Sequence, residues 1–519
     1  MPAPILICLL LLLFNLRTML VSHRLPYIIL PSVLLLLVVF AVFAWRTGIV
    51  NQEGNLLELL LPPAGTEAKP KLDKAPYPVY KPLSAAHVAP PVIDNFPLAL
   101  AAKSAAELPP IPRWNIPHSP HVPERTPLFI GFTRNWPMLQ QVVVSYITAG
   151  WPTEDIYVVE NTGVMDANKL GQLSLQNPFF LNHTRLELLG VNIIITPTLL
   201  TFAQLQNFYL WISTLENYTY YFWSHMDVVV LSDDGRFADQ HRSLDLDDLA
   251  VAIDDYKSVY DEVLDALYEV LAHKDLKWAM RFFAYDQLAL VNVTSFRDVG
   301  GWDTQIPFYA TDCDMHARLE MEGYNIEDKP AGRIWDVASV LDDLIVLYRK
   351  KSDPWGKQIA QASYIDPNAL YDELEAAAGN ARDIKEESMV GLKGSDTPDI
   401  GRDDGKKDSS TTDTKKPVGA VAWEEDQPNS ELYRHLVTVL DDMSRSKAES
   451  KQGRNTWQGR QMGGKGDPFY RDSEGFEEAI QMTIAHGRTV FSEKWGHRDC
   501  DIVAMGLKPD DAWRVEHDW

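Results

Sequence analysis

His225 and Asp227 are separated by one residue and directly follow an apolar and aromatic run, Tyr220–Ser224. Positions i and i+2 of an extended chain point to the same side, so both side chains can face one ion. An imidazole and a carboxylate suit Mn²⁺ or a similar cation whose other ligands are diphosphate oxygens. Alternatively, Asp227 caps a turn and His225 makes an ordinary hydrogen bond, which composition alone favours.

A second acidic cluster, Thr311-Asp312-Cys313-Asp314, lies where the pattern predicts the start of a helix. A carboxylate at such a junction can act as a general base that takes the proton of a hydroxyl group. Asp312 and Asp314 are therefore candidate catalytic residues. The alternative is structural, because Asp stabilises a helix N-terminus and Asp314 lies four residues before Arg318, an ordinary helix pair.

Both clusters lie in a region where the sequence pattern alternates between strands and helices. The apolar runs predict four strands, at 128–132, 156–159, 191–195 and 220–224. Helices are predicted after Asn135 and after Thr201, which forms a capping box with Gln204. This order is typical of an α/β fold with a doubly wound, mostly parallel sheet.

Ligands of such sheets bind beyond the carboxyl ends of the strands. The polar residues that follow the predicted strands are therefore the first candidates for ligand binding, in addition to His225 and Asp227: Thr133, Arg134, Asn135, Glu160 and Asn161.

More elements follow the fourth strand, and we expect the folded body to span 126–350. The pattern predicts a helix at 254–273, strands at 278–283 and 288–293, a Gly-Gly turn at 299–303, and helices at 312–322 and 334–348. Residues 351–469 are acidic and of low complexity, which predicts a largely disordered insertion with one helix at 430–443. The C-terminal segment, 470–519, regains apolar residues and is expected to dock on the body.

Composition limits the classes of partner. The chain has 519 residues and a formal net charge of −24. Such an acidic protein repels phosphate backbones, so we expect no nucleic-acid binding. It can still bind a nucleotide diphosphate when a divalent cation screens the two anions.

The N-terminus predicts a membrane anchor. Residues 27–45 form an uncharged apolar run of about the ~20 residues that a bilayer core requires. We expect a single-pass type II protein with a cytosolic tail at 1–26, a Pro- and Ala-rich stem at 46–125, and the remainder in the lumen of the Golgi or the ER. The alternatives are a cleaved signal peptide and a two-span hairpin. Three N-x-S/T sequons, at Asn182, Asn217 and Asn292, fit a lumenal domain.

Residues 299–324 resemble the second half of GT-A-fold glycosyltransferases, in particular family-2-like enzymes and the acidic cluster of the β-1,4-galactosyltransferase type. The shared pattern is Gly-Gly-Trp302-Asp303, an aromatic loop, the acidic cluster at Asp312, and a helix that ends at Gly323. Upstream, His225-Met-Asp227 occupies the place of the metal-binding D-x-D motif. The residues after the first two strands resemble those that contact the nucleotide and its base. The resemblance covers 127 to about 343.

This resemblance implies a GT-A fold, which is Rossmann-like, with a mostly parallel sheet between helices. It implies an inverting transfer from a nucleotide-sugar donor, a UDP- or GDP-sugar, to a glycan, glycoprotein or glycolipid acceptor. Asp312 or Asp314 would be the base, and Trp302 and Asp303 would hold the sugar or the acceptor.

The implied cofactor is a divalent cation, Mn²⁺ first, although His225 replaces the first Asp of the motif. A third metal ligand can come from the C-terminal segment, as in several relatives, and His497 is the candidate. Lys494 or Arg498 would then meet the diphosphate. The alternative is that this segment only packs on the body.

Two other functions remain open. One is a retaining transferase on the same fold, and the other is a non-catalytic lumenal carbohydrate-binding or scaffold protein with a degenerate transferase domain.

Cys313 and Cys500 both occur in the tripeptide Asp-Cys-Asp. If they pair, they fasten the C-terminal segment beside the acidic cluster.

Overall fold

The computed structural model describes residues 78, 91–117, 125–241, 255–273, 275–369, 422–450 and 463–519. The chain divides into two compact units, Met1–Leu83 and Ser84–Trp519. The predicted cytosolic tail and apolar run at 27–45 lie outside the described residues. Among the residues that are described, no helix has the length and apolarity to cross a bilayer.

A seven-stranded sheet forms the centre of the second unit, in the order β3-β2-β1-β4-β7-β6-β8. Every neighbouring pair is parallel except that β7 runs antiparallel to both β4 and β6. The prediction of an α/β fold with a mostly parallel sheet is therefore confirmed. The strands are β1 (Leu128–Phe132), β2 (Ile156–Glu160), β3 (Asn192–Ile195), β4 (Tyr220–Ser224), β5 (Val228–Leu231), β6 (Trp278–Ala284), β7 (Leu288–Asn292), β8 (Asn325–Asp328), β9 (Arg333–Asp336), β10 (Lys350–Ser352) and β11 (Glu424–Glu425).

Helices cover both faces of this sheet. They are α1 (Pro97–Ala101), α2 (Trp136–Thr148), α3 (His183–Leu189), α4 (Phe202–Leu215), α5 (Asp234–Gln240), α6 (Val259–Ala272), α7 (Val293–Asp298), α8 (Thr311–Met321), α9 (Glu431–Ala448) and α10 (Ser473–Trp495). Because successive side chains of a strand point to opposite faces, Leu128 and Ile130 of β1 share a core with α2, α6 and α9. Phe129 shares the other core with α4, α7 and α8.

Two predicted helix starts show the expected capping. Asn135 adopts a left-handed backbone conformation, and its side chain accepts a hydrogen bond from the Met138 amide. Thr201 and Gln204 form the predicted capping box at the start of α4. These caps fix where each helix leaves the carboxyl edge of the sheet.

The prediction of a helix at 334–348 is wrong. β9 instead pairs antiparallel with β5, with Val228 opposite Asp336, and the chain then forms a 3₁₀ turn at Leu344–Tyr348. The apolar residues of this stretch fit either periodicity when they are considered alone. Pairing with a strand far upstream decides the outcome, and local sequence does not contain that information.

The stretch predicted as a disordered insertion contains the ordered helix α9, of which the sequence predicted the first part, 430–443. Tyr433, Leu436, Leu440 and Met443 recur at helical spacing and are at most 2% exposed. Full burial of each such side chain contributes about 1.5–3 kcal/mol. Residues 370–421 and 451–462 lie outside the described parts.

Within the predicted stem, residues 91–117 also form local structure. They include α1, and Phe96 and Trp114 are buried. In the C-terminal segment, α10 packs against α8 through a small core of Ile306, Ala317, Phe491, Trp495 and Ile502.

Candidate functional site

β4 and β6 end at the same edge of the sheet, because both pair with β7 at Leu288. His225 follows β4 directly, and Tyr285 and Asp286 form the turn that follows β6. Asp286 has a φ of 54°, in the left-handed region, so the backbone turns sharply here. Two strand ends therefore present their polar residues at one place, which is where open α/β sheets bind ligands.

Asp312, in the first turn of α8, contacts this edge. The Tyr285 hydroxyl donates a hydrogen bond of 2.9 Å to Asp312 Oδ2. His316 lies one turn further along α8, and its ring centroid is 6.1 Å from that of Tyr285. His225 Nε2 lies 3.9 Å from Asp286 Oδ1, too far for a hydrogen bond but close enough for charge attraction. We call these five residues the Asp312 cluster: His225, Tyr285, Asp286, Asp312 and His316.

Aromatic rings lie beneath the Asp312 cluster. Phe202 stacks on His225 with centroids 5.8 Å apart, and it meets Trp302 edge-on at 5.5 Å. Trp302 in turn meets His316 at 6.3 Å, and Trp223 contacts His225 at 5.2 Å. The rings form a floor that connects the two histidines, which belong to different elements.

Several buried polar atoms of this floor and of the cluster lack a hydrogen-bond partner within the described structure. They are Trp223 Nε1, Trp302 Nε1, His225 Nε2 and His316 Nε2. A buried polar group left unpaired costs about 1–3 kcal/mol. Four such atoms in connected rings are costly for folding, and a polar ligand or ordered water that pairs with them would remove that cost.

The two histidines have opposite pKa shifts. Burial lowers the pKa of His316, and the nearby Asp312 and Asp286 carboxylates only partly oppose this. Burial also lowers the pKa of His225, but the surrounding carboxylates, foremost Asp286, outweigh it and raise the pKa above its ordinary value. A neutral His316 can accept or donate one hydrogen bond per ring nitrogen according to its tautomer.

Asp314 is fully buried, in contrast to the half-buried Asp312. Its Oδ2 pairs with Arg318 at 2.9 Å. Its Oδ1 pairs with Lys494 at 2.7 Å and accepts a hydrogen bond from Trp495 Nε1 at 3.0 Å. Both oxygens are therefore occupied, Oδ2 by Arg318 of the same helix and Oδ1 by two residues of α10. Of the two candidate bases, Asp312 is the one that faces the cluster.

Trp302 and Asp303 are held by different partners. The Asn207 side chain accepts from the Trp302 amide and donates to the Trp302 carbonyl, both at 2.8 Å. This approach requires Gly301, which has a φ of 73° and where a Cβ would lie 2.6 Å from Asn207 Oδ1. Asp303 pairs with Lys494 at 2.7 Å. Burial opposes ionisation of Asp303, but Lys494 holds its pKa below the ordinary value.

The residues predicted to contact a nucleotide have mostly structural partners. Glu160 is fully buried and bonds to His183 and Asn168. Asn161 bonds to both the amide and the carbonyl of Leu200. Thr133 is half-buried at the end of β1.

Arg134 and Asn135, which follow Thr133, connect to helices. Arg134 pairs with Glu477 at 3.2 Å, and Asn135 caps α2. The end of β1 is thus adjacent to the first turns of α10.

The three predicted metal ligands do not converge. Asp227 Oδ2 accepts a hydrogen bond of 2.7 Å from Lys447 Nζ on α9. His497 lies between Asp501 and Asp518, and the guanidinium of Arg498 lies 4.4 Å from the ring centroid of Trp519.

In the described parts of the chain, no group of three or more His, Cys, Asp or Glu side chains could hold a metal ion. The donor atoms expected to bind a divalent cation therefore do not fit one, because Asp227 already pairs with an ammonium group.

Lys447 also contacts Asp336, at the end of β9. Burial alone would lower the pKa of Lys447, but attraction by Asp227 and Asp336 outweighs it and raises the pKa. Burial disfavours the charged form of Asp227, yet Lys447 and His225 hold its pKa below the ordinary value. The Lys447–Asp227 contact therefore stabilises the charged form of both groups.

Sequence analysis did not identify Tyr285, Asp286, His316, Asp336 or Lys447. One clue was available, since His316 follows Asp312 by four residues and therefore shares its helix face. Lys447 gave no such clue, because its two partners, Asp227 before β5 and Asp336 at the end of β9, lie far upstream in the sequence.

Cys313 and Cys500 form a disulfide with their Cα atoms 5.1 Å apart. It joins the first turn of α8 to the loop that follows α10.

No family model matches the chain, and no curated protein matches it. Among solved structures, a mannosyltransferase from Pyrobaculum calidifontis in complex with GDP-Man and Mn²⁺ is 12% identical, with a TM-score of 0.26 over 42% of this chain and 58% of that one. The match thus spans less than two thirds of the mannosyltransferase. A cytidylyltransferase from Leptospira borgpetersenii serovar Hardjo-bovis is 10% identical, with a TM-score of 0.23 over 40% of this chain and 77% of that one. Similarity at this level places the chain in neither family.

Proposed function

We propose that this chain is a glycosyltransferase that moves a sugar from a nucleotide-diphosphate donor to a hydroxyl group of a glycan or glycoconjugate acceptor. The supporting observation is the Asp312 cluster, in which a half-buried carboxylate lies beside connected aromatic and histidine rings that carry four unpaired polar atoms. Polar side chains that converge on an apolar surface are typical of a small-molecule site. Sugars match such a floor because they combine an apolar ring face with many hydroxyl groups.

Asp312 is the proposed general base. Tyr285 donates to Oδ2, which holds the carboxylate in place and leaves Oδ1 for the acceptor hydroxyl. The acceptor oxygen forms a bond to the anomeric carbon as the bond from that carbon to the diphosphate breaks. The hydroxyl proton passes to Asp312, and attack from the face opposite the leaving group inverts the anomeric centre.

His316 and Trp302 are the proposed contacts of the sugars. His316 Nε2 and Trp302 Nε1 are buried without a hydrogen-bond partner, and their rings lie 6.3 Å apart, so a sugar hydroxyl reaches them only if the neighbouring side chains move aside. His225, at the end of β4, lies on the side of the cluster towards Asp227. We assign this side to the diphosphate of the donor. The Mn²⁺ expected from the sequence has no part in this step, because its expected ligands pair with other groups.

Calorimetry with UDP- and GDP-sugars, in EDTA and in Mn²⁺, tests the proposal. We expect one of these donors to bind with a dissociation constant within the range of common KM values, about 1 μM to 1 mM. A failure of both donor classes to bind under either condition would contradict the proposal. Binding without turnover on any glycan acceptor would favour the non-catalytic alternative, for which the departure at His225 is the specific observation.

A further inference from the structure

We propose that the Lys447 ammonium occupies the position of a divalent cation beside Asp227, so that donor binding requires no metal ion. This inference rests on the proposed transferase function, since it concerns the diphosphate side of the same site. It adds to that function the identity of the positive charge beside Asp227, and it can be tested without any nucleotide.

The two carboxylates are held together by backbone pairing. Asp336 ends β9 opposite Val228, the residue after Asp227, and the Val337 amide donates a hydrogen bond of 2.9 Å to the Asp227 carbonyl. Their side chains are only 12% and 13% exposed. Two carboxylates in such a place repel each other and are poorly solvated, so the fold requires a cation between them.

Lys447 supplies that cation from a fixed helix. Its Nζ lies 2.7 Å from Asp227 Oδ2 and also contacts Asp336 Oδ1, and its side chain is 2% exposed. Distances of this kind are typical of charge-assisted hydrogen bonds. α9 is anchored in the core by Leu440 and Met443, which are both fully buried. The ammonium group therefore cannot leave unless the helix moves or the aliphatic part of the Lys447 side chain changes its conformation.

A metal ion that took the place of Lys447 would find few protein ligands. Two carboxylates alone form only a weak Mn²⁺ site, which cannot compete with an ammonium group that is part of the fold. The contact of His225 at 3.9 Å is with Asp286, and it interacts with Asp227 and Asp336 only through charge attraction. The Lys447 side chain is 2% exposed, so its ammonium group acts on a diphosphate through its positive charge, as a buried metal ion would.

Electron paramagnetic resonance of Mn²⁺ added to the full chain tests this directly. We expect the wild type to bind no Mn²⁺, and Lys447→Met to gain one weakly bound ion per chain because it removes the ammonium group that contacts both carboxylates. Adding Asp336→Asn to Lys447→Met should abolish that ion. The matched control is Lys257→Met, which removes the exposed pair between Lys257 and Asp265 and should leave Mn²⁺ binding unchanged.

Two results would overturn the proposal. One is Mn²⁺ bound by the wild type and lost in Asp227→Asn, and the other is a folded Lys447→Met that binds no Mn²⁺. If Lys447→Met does not fold, two measurements on the wild type test the proposal. We expect it to bind no Mn²⁺, and we expect its affinity for the donor to be equal in EDTA and in Mn²⁺. A failure of the transferase function would appear separately, as a chain that binds no nucleotide sugar at all.

Discussion

Asp312 and Asp314 lie two positions apart on one helix, yet they have opposite surroundings. Residues at this spacing do not share a helix face, so one can face a ligand while the other faces a neighbouring element. The sequence placed both at a helix start and could not choose between them. The choice depends on α10, which brings Lys494 and Trp495 to Asp314 and leaves Asp312 to Tyr285.

Asp314→Asn should destabilise the protein strongly, because it leaves Lys494 and Arg318 with a neutral partner in a buried place. Breaking a buried ion pair from one side costs about 3–5 kcal/mol. Urea denaturation should show that loss in the free energy of unfolding. Asp312→Asn is the comparison, and a change within about 0.5 kcal/mol is expected for a group outside the core. Equal effects of the two variants would contradict the assigned roles.

At the scale of elements, the strands and helices around the site were largely predictable. β1, β4 and α4 follow from apolar runs and from a capping box, which are local features. β5 and β9 were missed because each is short and gains its stability from the other across a long sequence separation. Lys447 was missed for the same reason, since its role exists only after that small sheet has formed.

Reduction of the Cys313–Cys500 disulfide should loosen α10 from α8. The bond closes a loop of sequence separation 187, for which chain entropy alone gives a contribution of about 5 kcal/mol. Limited proteolysis should then cut the C-terminal segment faster, and the free energy of unfolding should fall. A variant with both cysteines replaced by serine should behave like the reduced protein and respond no further to reductant. Two free thiols in protein from the secretory pathway would contradict the pairing.

At the scale of the whole molecule, placement in the lumen remains a proposal, and the three sequons offer a test. The Asn182 side chain caps α3 by accepting from the Arg185 amide, and the Asn292 amide group donates to the Trp278 carbonyl. Asn217 is exposed, at a turn with a φ of 58°. An asparagine whose amide group is engaged by the fold is a poor acceptor for a glycan once the fold has formed.

Expression through the secretory pathway should therefore add a single N-glycan, at Asn217. Thr219→Ala should remove the mobility shift that an endoglycosidase produces, and Thr184→Ala and Thr294→Ala should retain it. These variants remove each sequon without altering the asparagine. Glycans at Asn182 or Asn292 would contradict the structural argument, and a chain without any glycan would contradict the lumenal placement.

The central claim is that Asp312 takes the proton of the acceptor hydroxyl, and the turnover of Asp312→Asn tests it most directly. We expect turnover to fall by about 10²–10⁴-fold, the usual contribution of a positioned base, with donor affinity unchanged. Asp298→Asn is the matched control, because the Asp298 carboxylate also accepts a hydrogen bond from a tyrosine hydroxyl, that of Tyr324, but lies outside the Asp312 cluster. Its turnover should equal that of the wild type. Undiminished turnover in Asp312→Asn would contradict the account.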